Sequence, residues 1–204
     1  AGVMLGPLAA FALLSQAPAR FDRVFAVSLA AAFAGLAALL LGTRNQTTQA
    51  AGESPGGSEW RTALALLGDA RFRPVVALGG GLALLTVSDP FLYLAIRAHH
   101  PFGAAQFPLL FAGTGFSYLV WSAPAGRLAD RVGRGRVFMA GHAALLAACL
   151  AATGILGFSP WVTPVLLGAY YASTDGVLAA LASTRLPPGR LGTGLALLGT
   201  ATSL

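Results

Sequence analysis

Charged side chains fall at long intervals along this chain of 204 residues, and the apolar stretches between them predict its architecture. Between Arg136 and Asp175 no residue carries a formal charge. As one straight helix that stretch would be about 57 Å long, nearly twice the roughly 30 Å hydrocarbon core of a bilayer. The chain must therefore turn back once, and Gly157-Phe158-Ser159-Pro160 supplies the turn, because glycine ends a helix and proline opens the next. The same reading places apolar spans near 2–18, 24–42, 74–97, 104–124, 137–156 and 161–183, with another starting near 192. In lipid these spans are helices: an open sheet leaves backbone groups unpaired, and nothing in the sequence alternates as a barrel strand would. The expected fold class is an all-α integral membrane protein, a multi-pass helical bundle.

Composition narrows the function classes. With 56% hydrophobic and 10% charged residues, against roughly 25% charged in a soluble domain, the chain has too few charges to cover a globule in water. A disordered tail, a nucleic-acid module and a cytosolic enzyme are excluded as readings. The net charge of +6 matters through its placement, since nucleic-acid binding needs basic residues gathered on one wet face. All thirteen basic residues are arginine, and ten of them lie in the connections 43–73, 125–136 and 184–191. The opposite connections hold Arg20 and Arg23, with Arg97 at the border. The positive-inside rule puts the first set in the cytoplasm. The absence of lysine together with the Ala, Gly and Leu bias points to a GC-rich bacterial genome, and so to a bacterial plasma membrane. Cys149, the one thiol, sits in an apolar run and offers neither a disulfide framework nor a cysteine metal site.

Residues 43–73 differ from the rest. Their first half is polar and turn-rich, as in a linker, while Ser58 onward predicts a short amphipathic helix with Ser58 as N-cap and Trp60, Leu66 and Leu67 at the inner membrane surface. The sequon Asn45-Gln46-Thr47 carries no weight on such a loop. Residues 2–18 lack the basic region and cleavage pattern of a signal peptide, and Gly194 to Leu204 are too few to span a bilayer. The chain reads as a piece of a longer membrane protein.

The segment Gly126-Arg127-Leu128-Ala129-Asp130-Arg131-Val132-Gly133-Arg134-Gly135-Arg136 sets one carboxylate among four guanidiniums, with glycines at both bends. Small residues let two helices approach, and Asp130 can accept hydrogen bonds from arginine or from a helix N-terminus. The order Gly-x-Leu-Ala-Asp-Arg-x-Gly-Arg closely resembles the cytoplasmic signature of the major facilitator superfamily, the twelve-helix secondary transporters. Gly126, Leu128, Asp130, Arg131, Gly133 and Arg134 match it. Gly135 departs from it, standing where the family usually has a second basic residue, which Arg136 supplies one position later. The signature follows the second and the eighth helix in that family, so the resemblance implies a partial transporter fold. Residues 1–42 would be the last two helices of the N-terminal bundle, 43–73 the cytoplasmic linker, and 74–204 an incomplete C-terminal bundle. Gly2-Val3-Met4-Leu5-Gly6-Pro7 resembles the Gly-Pro helix-packing motif on the fifth helix of proton-coupled antiporters, although Ala10 and Phe11 replace its following glycines. Asp175-Gly176, followed by Pro187 and Arg190, resembles the inner end of the tenth helix, where an acid faces the signature loop.

Only two carboxylates, Asp89 and Asp175, fall inside predicted spans, and each costs on the order of 3 kcal/mol at the bilayer centre. Asp175 lies about 12 Å from the inner end of its helix. It is expected to form a gate ion pair with Arg134 or Arg131, with direct substrate contact as the alternative. Asp89 precedes Pro90, which predicts a kinked span with Thr86 and Tyr93 on the same face. Its role is open between proton or cation-substrate coupling and a structural one, in which it meets outer water or neutralises Arg97. Thr114, Ser117, Tyr118 and Trp121 fall at i, i+3, i+4 and i+7, a stripe that either lines a cavity or forms a helix seam. Tyr171 stacks with Asp175, beside Tyr170 and Thr174. Spans 24–42 and 137–156 are poor in polar side chains, which in the resembling family suits helices turned toward lipid.

His142 reads as packed rather than as a proton carrier. His99 and His100 read as an exposed pair and a poor metal site. Gly79-Gly80-Gly81 lacks a preceding strand and reads as close helix packing.

Together these observations predict secondary active transport of a small solute by alternating access, as proton-coupled antiport exporting a drug or metabolite. A facilitator or a non-transporting receptor or scaffold is the alternative. The candidate substrate and proton site is Asp89, Tyr93, Thr114, Tyr118, Trp121 and Tyr171. The expected partners are the solute, protons and the bilayer, with no nucleic acid, cofactor or metal, and the intact protein is expected to be a monomer. An intramembrane enzyme would need a catalytic constellation that the spans do not carry.

Overall fold

The computed structural model describes residues 2–17, 20–42, 58–103, 105–186 and 189–203, and the described residues are helices joined by turns and short loops. In chain order these are α1 (Gly2–Gln16), α2 (Phe21–Gly42), α3 (Ser58–Leu67), α4 (Arg73–Leu84), α5 (Asp89–His99), α6 (Phe107–Val132), α7 (Arg134–Ala152), α8 (Val162–Ser183) and α9 (Leu191–Thr202). Four stretches are long and apolar enough to cross a membrane: Phe21–Gly42, Arg73–His99, Arg134–Ala152 and Val162–Ser183. The chain divides into two units, Ala1–Pro55 with Phe102–Ala112, and Gly56–Pro101 with Gly113–Leu204. The remainder of 43–57, the first half of the expected linker, lies outside the described residues.

In the first unit, α2 has no buried residue, and leucines such as Leu40 and Leu41 are open to the surroundings. A helix apolar all round that buries none of its side chains in protein has lipid as its solvent. Arg20 forks onto Asp22 at the start of α2, with Nε 3.1 Å from Oδ1 and Nη2 3.0 Å from Oδ2. Pro7 lies inside α1, but a Cβ added at Gly6 would meet nothing within 4 Å. The close packing expected at Gly6 is therefore not made among the described residues; Gly2 carries no described contact.

The second unit holds the densest packing, where α7 lies along α8. A Cβ at Gly141 of α7 would stand 2.9 Å from the Ser173 Cβ and 3.0 Å from the Thr174 Cγ2, so only glycine permits this approach. Gly168 of α8 does the same for α6: a Cβ there would fall 2.6 Å from the Tyr118 backbone nitrogen. Gly79 and Gly80 of α4 face Leu178 and Ala201, in keeping with the helix-packing reading of the glycine triplet.

Three expectations are corrected. The span 74–97 does not merely kink: α4 ends at Leu84, Ser88 is extended (ψ 138°), and α5 begins afresh at Asp89. Pro90 explains the position. In a continuous helix its ring would collide with the carbonyl four residues back, that of Thr86, and the break removes that turn. Pro90 instead opens α5, where its missing N–H is no loss.

Residues 125–136 are not a loop either, since α6 runs through to Val132 and only Gly133, at φ +101°, separates it from α7. A left-handed residue costs a side chain roughly 1–2 kcal/mol, and this one glycine turns the chain where a loop over 125–136 is expected. Finally, Leu66 of α3 does not rest on a membrane surface. It is buried with Phe72, Val75, Val76, Leu186 and Leu198. The Trp60 side chain lies outside what is described.

Candidate functional site

The break between α4 and α5 opens a cavity of about 580 Å³ in the second unit. Gly79 and Ala83 of α4 and Thr86 and Ser88 of the break form one wall, and Phe138 and His142 of α7 form another. From α8 come Tyr170, Tyr171, Thr174 and Asp175, with Leu178 and Ala179 below them. Leu195, Leu198, Gly199 and Thr202 of α9 close the remainder. The volume lies in the range of small-molecule pockets.

Asp89 stands at the first turn of α5, where the positive helix end favours a carboxylate. Its Oδ1 accepts the Tyr171 hydroxyl at 2.7 Å, so an acid on α5 holds a ring that lines the cavity from α8. One turn further along α5, the buried Tyr93 shares a 2.6 Å hydrogen bond with Thr114 of α6. The Ser117 hydroxyl donates to the Val165 carbonyl of α8 at 2.8 Å. Thr114 and Ser117 thus join helices, which is the seam alternative for the α6 stripe, while Tyr118 is half-buried and Trp121 exposed. Of the candidate site residues the structure brings Asp89, Tyr93, Thr114 and Tyr171 into one hydrogen-bonded region. Only Tyr171 among the six lines the cavity itself.

Asp175 lies one turn beyond Tyr171 and projects into the same cavity, its side chain exposed there. The guanidinium expected to meet it goes elsewhere. Arg134, at the start of α7, donates from Nη1 to the Ala180 carbonyl at 2.7 Å, and its Nη2 is 4.0 Å from Asp130. Ala180 is among the last four carbonyls of α8, which lack backbone donors within the helix and carry the negative end of the helix dipole, and it also accepts the Ser183 hydroxyl at 2.9 Å. That end lies about 7 Å along the helix from Asp175, and it captures the arginine first. Asp130 and Arg131 face outward, as do Gly126 and Leu128, while Ala129 packs with Val137, Phe138 and Val177.

His142 is the residue most undervalued by sequence reading. It lines the cavity, half-buried, with its ring 4.6 Å from that of Phe138 and 5.4 Å from that of Tyr170. The legible signal is Phe138 and His142 at i, i+4 beside Gly141, the glycine that brings α7 onto α8. The α9 lining was not legible: Leu195, Gly199 and Thr202 share a face, but nothing in the sequence says what that face meets. Span 137–156 likewise looks lipid-facing by composition, yet α7 buries Gly141, Leu145, Ala148 and Ala152. Among the described residues no group of three histidine, cysteine or acidic side chains is placed to hold a metal ion.

A family model described as Major Facilitator Superfamily matches residues 1–204. No curated protein and no solved structure matches the chain.

Proposed function

The chain belongs to the major facilitator superfamily, and from that premise we propose that it exchanges a small solute for protons by alternating access. Membership makes it a multi-pass membrane protein that carries a solute across a lipid bilayer, in a family that is generally non-enzymatic. The finer reading is antiport without catalysis, by a monomer in a bacterial plasma membrane. In this reading α1 and α2 end the N-terminal bundle, 43–73 is the linker and 74–204 belongs to the C-terminal bundle.

The observation that carries the proposal is the 2.7 Å hydrogen bond from Tyr171 to Asp89. The acid sits at a helix break, is not itself among the cavity's lining residues, and reaches the cavity through the tyrosine ring. Ionised, it is a strong acceptor and pins that ring; protonated, it is a weaker acceptor and lets the wall move. Proton and solute are thereby linked through one side chain. Arg134 on the Ala180 carbonyl fastens the arginine-rich ends of α7 and α8 in this conformation and releases them in the other.

The test is reconstitution of the intact protein in proteoliposomes. Antiport predicts counterflow of labelled solute and uptake driven by an imposed proton gradient, with Asp89→Asn abolishing the gradient-driven part while exchange persists. Flux indifferent to the gradient identifies a facilitator, and absence of counterflow a receptor or scaffold.

A further inference from the structure

The cavity has a chemical polarity. Among its described lining residues the one formal charge is the Asp175 carboxylate; no arginine lines it, in a chain with thirteen. Four of its six lining hydroxyls point their hydrogens away. Thr86 donates to the Leu82 carbonyl at 2.8 Å, Thr174 to Tyr170 at 2.9 Å and Thr202 to Leu198 at 3.0 Å, each within its own helix, and Tyr171 donates to Asp89. The His142 Nδ1 lies 3.0 Å from the Phe138 carbonyl. A carbonyl only accepts, so this nitrogen carries the proton and spends it on the backbone. What these groups offer a guest is lone pairs and negative charge.

Across α7 and α8 the wall is a strip of rings. Phe138, His142, Tyr170 and Tyr171 follow one another across α7 and α8, with centroid separations of 4.6, 5.4 and 5.1 Å. Ring faces attract cations, most strongly where water is excluded. An anion would meet a carboxylate and find these donors occupied.

From this arrangement we infer that the solute is a monovalent organic cation with an aromatic or apolar body, its charge at Asp175 and its body along the Phe138–Tyr171 strip. The inference rests on the transport reading for its meaning as a substrate, although binding is measurable without flux. Asp89 and Asp175 then divide the work: the first takes the proton through Tyr171, the second takes the solute.

The test is equilibrium binding to the intact protein in lipid nanodiscs. The probes are phenylbutyl-trimethylammonium, its uncharged carbon isostere, and phenylbutanesulfonate. The ammonium should bind at least about tenfold more tightly than the isostere, the combined effect of the carboxylate and the ring strip, and the sulfonate should not compete. Asp175→Asn should erase the preference for charge and leave isostere binding unchanged, while Asp175→Glu should keep it. Equal or tighter binding of the isostere or sulfonate by the unmodified protein overturns the inference, as does a charge preference that survives Asp175→Asn. The unmodified protein alone decides the first point, so a misfolded variant cannot rescue the idea. Counterflow separates the two readings: ammonium binding without counterflow sinks transport and leaves the cation site, whereas counterflow of another solute without ammonium binding sinks the cation site and leaves transport.

Discussion

Two stretches of α8 meet charge in opposite ways. Along its middle, Tyr171 and Asp175 present polar groups to a cavity, and the carboxylate stays unpaired by any guanidinium among the described residues. At its C-terminal end Arg134 shares the Ala180 carbonyl with the Ser183 hydroxyl, while the nearby carboxylate, Asp130, is 74% exposed. The middle keeps a charge available for a guest; the end uses a charge to fasten helix to helix. The lesson is that a carboxylate and an arginine on neighbouring helices need not pair, because the carbonyls at a helix C-terminus compete for the arginine.

The comparison breaks most completely if α8 is displaced. Gly168→Leu forces a side chain into the Tyr118 backbone, which cannot yield as a flexible side chain would. Folded yield by size-exclusion chromatography should collapse, taking cation binding and the Ala180 contact together. If folded yield is normal, the α6–α8 approach is not what holds the site.

A sharper cut separates the cavity from its proton-bearing acid. Tyr171→Phe removes a hydrogen bond to a charged group and should lower stability by about 2 kcal/mol. Asp89→Asn should uncouple gradient-driven uptake. Because the two residues act through one bond, the double variant should be little worse than the more damaging single one in thermal unfolding. Additive losses would mean that they act apart.

At the arginine-rich end effects are smaller. Gly133→Ala places a side chain at φ +101° and should cost about 1–2 kcal/mol. Cation binding in the cavity should be untouched, as a competition assay would show. Arg134→Gln should cost about 1 kcal/mol, with Arg134→Lys recovering part of it. Last, Arg131→Gln, on an exposed side chain, should move the melting temperature by no more than about 0.5 kcal/mol permits. A large effect there would mark Arg131 rather than Arg134 as the fastening residue.

Much of the fold was legible because lipid imposes it. Apolar runs long enough to span, separated by arginine, glycine and proline, give α2, α7 and α8 within a few residues of their observed limits. The helix from Ser58 and the turn at 157–160 were equally readable. Of the site, Asp89 was noteworthy as a carboxylate inside a span, where it is costly, and Tyr171 for its place one turn from the second such carboxylate, Asp175. Their mutual bond was not readable, since they lie 82 residues apart and no periodicity links two helices so distant in sequence.

By itself the sequence determined the solvent, most of the helices and the family signature. All of these follow from hydropathy, from the backbone limits of glycine and proline, or from residue order. Only the tertiary structure decided that Pro90 splits a span instead of bending it, that one glycine replaces a loop, that Arg134 chooses a carbonyl over Asp175, and that His142 faces a cavity. Each of those depends on which groups compete for the same partner in space, and a chain read in one dimension does not contain the competitors' distances.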